Sequence, residues 1–307
     1  MLYSFDHLNA REARVTQIPA EAPATPMPVT LPEAYRVCAD IVRRHDENFP
    51  VVSRFIAAPL RPALAAVYAF ARLADDIADA AAPSDERLAG LDRIEAALLE
   101  ALDGGPEGPV LTALADAVEQ QRLPVEPFLD LLGAFRMDAR DATFETWDDL
   151  LGYCRGSANT IGRLVLALHS IDDPTTLEES DAVCTALQLT NLWQDLARDL
   201  ERGRVFLPRA DMARFGLEAG VLRDPKHQDA LTGLLREECR ATEGLYARGE
   251  AIPARVPRGL GIQLRVTIAG GRAVLRRVEE RGWRVLVDRP SLGQADRWKL
   301  LVKGVFA

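Results

Sequence analysis

The chain has 307 residues, enough for one large domain or two average ones, and 48% of them are hydrophobic, sufficient for a sizeable core. Thirty-seven Lys and Arg stand against 46 Asp and Glu, and the net charge of -9 argues against nucleic acid as the main partner. The most apolar stretch, 55–71, is broken by Pro59, Arg61 and Pro62 and falls far short of the ~20 uninterrupted apolar residues of a bilayer span.

Residues 1–30 carry scattered charge and four prolines without the apolar core of a signal peptide, and read as a flexible leader on a cytoplasmic protein. From Leu31 onward apolar residues recur at helical spacing. Helices are expected near 32–46, 59–82, 85–103, 108–121, 125–140, 146–155, 157–170, 178–202, 223–249, 258–282 and 291–304. Pro83 follows one of them, Gly104, Gly105 and Pro106 close another, and Pro124 and Pro127 open a third. Period-two runs of β-branched residues are absent, and no linker or composition shift divides 31–307, so the expectation is a single all-α domain. Cys38, Cys154, Cys184 and Cys239 are widely separated without a Cys-x-x-Cys pair, and read as reduced, buried hydrophobes. No Glu-x-x-His pair supports a di-iron helical bundle.

Two acidic segments stand out, Asp75-Asp76-x-x-Asp79 and Asn191-x-x-x-Asp195-x-x-x-Asp199. A spacing of four puts their carboxylates on one helix face, one turn apart. Two unit charges ~6 Å apart at an effective dielectric of ~20 repel by about 3 kcal/mol, so a partly buried cluster calls for a cation. Each motif alone also fits a solvated acidic face. Their surroundings favour a cavity: Val67, Phe70, Ala74 and Ile77 flank the first, and Leu189, Leu192, Trp193 and Leu196 the second. Hard oxygen ligands suit Mg²⁺ that completes its coordination with water and phosphate, so the implied ligand is a diphosphate. Asp75, Asp79, Asn191, Asp195 and Asp199 are the candidate metal or metal-water ligands, with Asp76 supporting them. Arg72, one turn before Asp75, either reaches the diphosphate or pairs with Asp75 or Asp76; Arg204 lies just past the second motif.

Together the motifs resemble the squalene/phytoene synthase family of head-to-head isoprenoid enzymes. The resemblance covers about His45 to Val302. It rests on Tyr68-Ala-Phe-Ala-Arg72 before the first Asp motif, Tyr153-Cys154 with Ser157-Ala158-Asn159-x-x-Gly162, and Leu189-Thr190-Asn191-x-x-Gln194-Asp195-x-x-x-Asp199 before Arg204-Val-Phe-Leu-Pro208. It implies the all-α isoprenoid synthase fold, a bundle around a central cavity with Mg²⁺ at the two Asp-rich walls. Within the family, Glu47-Asn48-Phe49-Pro50-Val51 and Arg289-Pro290-x-Leu292 look most like bacterial hydroxysqualene synthases of hopanoid pathways. Such enzymes take presqualene diphosphate, release diphosphate and capture the cation with water, without NADPH. The resemblance assigns Asp75, Asp79, Asp195 and Tyr153 to catalysis, and Arg72, Asn48, Phe49, Gln194 and Arg204 to substrate binding. It further implies peripheral contact with the inner membrane and neighbouring hopanoid-pathway enzymes as partners. The alternatives are presqualene diphosphate, squalene or phytoene synthase, or a non-catalytic assembly factor of the same fold, against which the intact Asp motifs argue.

Three departures thin out the site for a second diphosphate. Asp46 stands in His45-Asp46-Glu47-Asn48-Phe49 where many relatives have Ser, Gln194 stands where Arg is common, and a Tyr common in the late helix falls at Gly271. Phe49, Tyr68, Phe70, Phe135, Tyr153 and Trp193 are candidates for the wall of a carbocation cavity, with core packing the competing role. Gly270-Gly271 interrupts a helical pattern at roughly 1 kcal/mol per residue, and either packs helices closely or makes room for substrate or water.

Overall fold

A computed structural model describes residues 29–45, 56–105 and 108–293, and every regular element among them is a helix. In chain order these are α1 (Leu31–His45), α2 (Arg61–Ala78), α3 (Ser84–Leu102), α4 (Pro109–Gln121), α5 (Glu126–Ala139) and α6 (Trp147–Cys154). A π turn, Arg155–Asn159, leads into α7 (Thr160–Leu168), followed by α8 (Pro174–Gln194), α9 (Leu196–Glu201) and α10 (Arg209–Arg214). The chain ends its described part with α11 (Gln228–Arg248), α12 (Ile252–Arg255), α13 (Arg258–Arg281) and a 3₁₀ segment, Gly282–Leu286.

Two hydrophobic clusters hold the helices. One gathers α1 to α4 around Phe70, Leu91, Leu98 and Leu114 and includes Phe128, Leu131 and Leu132 of α5. The other gathers α6, α8, α11 and α13 around Leu150, Trp193, Leu234, Tyr246 and Leu275. α5 and α7 belong to both, since Leu131 and Leu164 face the first cluster and Ala134 and Leu166 the second. Alanine allows α2 to pack closely: Ala63, Ala65, Ala66, Ala69, Ala71, Ala74 and Ala78 are all buried. The C-terminal ends of α2 and α8 meet at the seam between the clusters.

The departures from the expected boundaries have local causes. The expected helix 178–202 begins four residues earlier, because the Asp173 side chain accepts a hydrogen bond from the Thr176 N–H at 3.0 Å and Pro174 suits the first turn. It also breaks at Asp195 (φ -96°, ψ 7°) before resuming as α9. The helix expected over 59–82 stops at Ala78 with Asp79 as its C-cap, and 223–227 are 3₁₀ and turn rather than α-helix. α10 and α12 run for six and four residues, too short for periodicity to reveal. Residues 291–293 are not helical, and the rest of the expected helix 291–304 lies outside the described residues, as do residues 1–28 of the leader. All four cysteines are free, three of them buried. Among the described residues no helix is long and apolar enough to cross a membrane.

Candidate active site

The last turn of α2 supplies Asp75, and its C-cap is Asp79; the last turn of α8 supplies Asn191, the break after it Asp195, and α9 Asp199. Asp75 and Asp79 thus stand at a helix C-terminus, where exposed carbonyls carry partial negative charge and a carboxylate is disfavoured, so helix stability does not explain them, whereas Asp195 and Asp199 lie at the N-cap and in the first turn of α9. All five line one cavity of about 110 Å³, together with Asp138, Ser157, Gln188, Arg198, Arg202 and Arg204 and an apolar side formed by Phe135, Tyr153, Leu192 and Phe206.

Arginines bridge the walls. Gly203, with φ 76°, turns the chain after α9, and the Arg204 N–H then donates to the Asp199 carbonyl at 2.8 Å. The Arg204 side chain reaches Asp79 at 3.0 Å and comes within 3.9 Å of Asp199, while Arg202 lies 3.3 Å from Asp79. Arg289 donates to both oxygens of Asp195, at 2.6 and 3.0 Å, and Arg198 approaches the same carboxylate at 3.4 Å. The segment that carries Phe206 is pinned by two backbone bonds, Arg209 N–H to the Phe144 carbonyl and Ala210 N–H to the Glu145 carbonyl, each 2.9 Å.

Tyr153 is oriented by α6, whose N-terminus is a capping box between Thr146 and Asp149. Its ring packs against Phe144 and Phe206 at 5.4 and 5.6 Å between centroids, and its hydroxyl donates to Asp138 Oδ2 at 3.1 Å. The π turn that follows brings Ser157 onto the same cavity, with its hydroxyl bonded to the Tyr153 carbonyl at 3.0 Å.

Burial, with the neighbouring carboxylates adding to it, shows in the protonation of these groups. Burial pushes Asp75 up to about 8, with Asp79 adding to the rise and Arg72 opposing it. Burial likewise raises Asp138 to about 7 against the pull of Arg204 and the Tyr153 hydrogen bond, and Asp199 to about 6 against Arg204. Burial also lifts the Tyr153 phenol well above its usual value.

The structure places several sequence candidates elsewhere. Asp76 points about 100° away from Asp75 on the helix, is half-exposed and pairs with Arg72, so it does not line the cavity. Arg72 takes the ion-pair role, with Asp75 3.4 Å away, and its Nε is buried without a hydrogen-bond partner. Gln194 turns from the cavity and donates to the Pro290 carbonyl, in the segment that carries Arg289. Phe70, edge-on to Phe128 at 5.6 Å, and Trp193, bonded to Thr242, are fully buried core. Asn48 and Phe49 lie outside the described residues. Asp138, Arg198 and Arg202 join the site without having been singled out, and Phe206 and Arg289, quoted only within the motifs, join it too. Asp138 follows Leu131 and Phe135 along one stripe of α5, the same polar-on-apolar pattern that marks Asn191 and Asp195.

As the side chains stand, no three carboxylates among the described residues converge as a metal site; they are turned onto arginines. The donor set nonetheless fits Mg²⁺. It consists of hard oxygen ligands crowded around one cavity, and Arg204 Nε beside them is a buried donor without a hydrogen-bond partner, suited to a phosphate oxygen.

The family described as squalene/phytoene synthase matches residues 42–296. The chain is 36% identical over 239 residues to the hydroxysqualene synthase of Rhodopseudomonas palustris, covering 77% of this chain and 80% of the relative. It is 33% identical over 222 residues to the phytoene synthase of Mycobacterium tuberculosis, covering 71% and 72%. The crystal structure of squalene synthase HpnC from Alicyclobacillus acidocaldarius superimposes with a TM-score of 0.78 at 39% identity, covering 84% of this chain and 97% of that one.

Proposed function

The chain belongs to the squalene/phytoene synthase family of isoprenoid enzymes and has its all-α isoprenoid synthase fold, and from that premise we propose that it converts presqualene diphosphate and water to hydroxysqualene and diphosphate. The observation that carries this reading is the hydrogen-bonded pair of Tyr153 and Asp138 set into the aromatic side of a cavity whose other side is acidic and basic. Water capture of a carbocation needs an apolar wall with one placed polar group, and this pair is such a group.

Asp75, Asp79, Asn191, Asp195 and Asp199 would hold Mg²⁺, which when bound supplies Lewis-acid stabilisation of the departing diphosphate. Arg198, Arg202, Arg204 and Arg289 add guanidinium donors around the charge that develops as the C–O bond breaks. Phe135, Phe206 and the Tyr153 ring face the cation left behind and exclude stray water. When the admitted water forms its new C–O bond, the Tyr153 oxygen accepts its proton and passes the phenol proton to Asp138. Asp138 ends as a carboxylic acid, and atoms and charge balance without a reductant, so NADPH has no part. The thirty-carbon substrate and product place the enzyme, on this reading, in the cytoplasm at the surface of the inner membrane, next to other hopanoid-pathway enzymes.

A phytoene synthase relative at 33% identity keeps head-to-head condensation as the second reading. Purified protein with presqualene diphosphate and Mg²⁺ should yield hydroxysqualene that carries oxygen from isotopically labelled water, with or without NADPH. Efficient condensation of farnesyl or geranylgeranyl diphosphate, or squalene formed only with NADPH, overturns the proposal in favour of a condensing or reducing enzyme.

A further inference from the structure

α8 carries the second acidic wall on one side and is tied to α11 on the other. At about 100° per residue, Asn191 and Asp195 share one stripe, and Ala186, Thr190 and Trp193 share a stripe roughly opposite. From this second stripe two buried hydrogen bonds cross to α11. Trp193 Nε1–H donates to Thr242 Oγ1 at 3.0 Å, and Thr190 Oγ1 lies 3.0 Å from the Tyr246 hydroxyl. The direction of the second bond follows from its neighbours. Thr190 has one hydroxyl proton, which goes to the Ala186 carbonyl at 2.7 Å, so Tyr246 is the donor.

Tyr246 is fully buried, and a third helix closes around it. A Cβ at Gly271 of α13 would overlap the Tyr246 hydroxyl oxygen, and would lie 2.8 Å from Leu187 Cδ2 and 2.9 Å from Tyr246 Cζ. The next residue, Arg272, stands over the ring, 5.8 Å from its centroid. One phenol therefore fixes α8, α11 and α13 against each other, directly behind the turn that presents Asn191.

We propose that Tyr246 is a positioning residue for Asn191 and Asp195, setting the rotation and axial register of the last turn of α8, and that residue 271 is glycine to leave room for the phenol oxygen. The inference rests on the Mg²⁺–diphosphate reading of the site. Groups that support a metal ligand from behind affect affinity, whereas a packing residue lowers stability alike with and without ligand.

The test uses the full chain, Mg²⁺ and inorganic diphosphate. Melting temperature is measured with and without the pair, and Mg²⁺ affinity in the presence of diphosphate by calorimetry, for wild type, Tyr246→Phe, Gly271→Ala and the double variant. Tyr246→Phe should stay helical, lose on the order of tenfold in Mg²⁺ affinity, and show a smaller ligand-induced rise in melting temperature than wild type. Gly271→Ala should cost less in the Tyr246→Phe background than alone, because the atom it displaces is then absent. A folded Tyr246→Phe with wild-type affinity and a wild-type ligand-induced rise overturns the positioning role. Equal costs of Gly271→Ala in both backgrounds overturn the reason given for the glycine. A wild-type protein without any ligand-induced rise overturns the Mg²⁺–diphosphate reading itself, and the inference with it.

Discussion

Asp75 and Tyr153 are the residues on which the site's chemistry can be separated from its architecture. Asp75 is buried among Asp79, Asp76 and Asp138, with Arg72 as its nearest counter-charge. Asp75→Ala should keep the helical spectrum, reduce turnover by on the order of a thousandfold at ~4 kcal/mol, and raise the melting temperature in metal-free buffer by removing a carboxyl whose ionisation burial opposes. Near wild-type turnover would remove Asp75 from the metal set. Tyr153→Phe removes the donor of the 3.1 Å hydrogen bond, and Asp138→Asn leaves an amide oxygen that can accept it but cannot take the proton. Both should slow water capture or shift the product mixture while the affinity for inorganic diphosphate stays nearly unchanged. A Tyr153→Phe enzyme with the wild-type rate and product profile would reduce that phenol to a core contact. Asp75, Asp79, Asn191, Asp195 and Asp199 were legible because spacing of four on an apolar helix is a local pattern. Asp138 lies on a stripe of the same kind but has no second acid four residues away to mark it, and Arg289, though part of a quoted motif, shows no role in the sequence because its partner Asp195 is 94 residues away.

At the scale of elements, α8 is the spine of the second cluster, and glycines let its neighbours approach. A Cβ at Gly249 would overlap Val183 Cγ2 and lie 2.5 Å from the Glu179 carbonyl oxygen, which is backbone and cannot swing aside. Gly249→Ala should therefore cost about 1–3 kcal/mol, read as a lower urea midpoint at unchanged slope. α11 carries a different liability in Glu238, only 3% exposed. Burial, with Asp211 and Glu237 adding and Arg214 opposing, pushes its carboxyl up to about 8. Between the ordinary Glu value and 8 the native state holds a proton that the unfolded chain has released, so stability contributed by this group falls as pH rises, by up to about 1.4 kcal/mol per pH unit. Glu238→Gln should match wild type near pH 4 and melt above it by a gap that widens to pH 8. A gap independent of pH would show that Glu238 ionises normally in the fold. The longer helices follow from hydrophobic period and Pro/Gly punctuation, whereas the break at Asp195 and the π turn after Cys154 arise from tertiary contacts that no local pattern encodes.

The whole molecule consists of two apolar clusters with the acidic walls facing each other across their seam. The fold class was legible because helix periodicity runs along most of the chain. The pairing of the halves was not, because it depends on contacts such as those of Arg202 and Arg204 with Asp79, 123 and 125 residues apart. Each cluster is closed by its own side chains, so chelation should leave the far-ultraviolet circular dichroism unchanged. What metal and diphosphate would add is attraction across the seam, in place of the repulsion among Asp75, Asp79, Asp138 and Asp199. At a hundredfold excess over its dissociation constant, a ligand specific for the native state stabilises it by about 2.7 kcal/mol. Hydrogen exchange should locate that gain on both sides at once. With Mg²⁺ and inorganic diphosphate, protection should rise together at 75–79 and at 191–204, with no comparable change in α4 on the far side of the first cluster. Protection gained at one wall alone would mean that the ligand is held by a single helix end, and loss of helix on chelation would mean that metal is part of the fold rather than of the site.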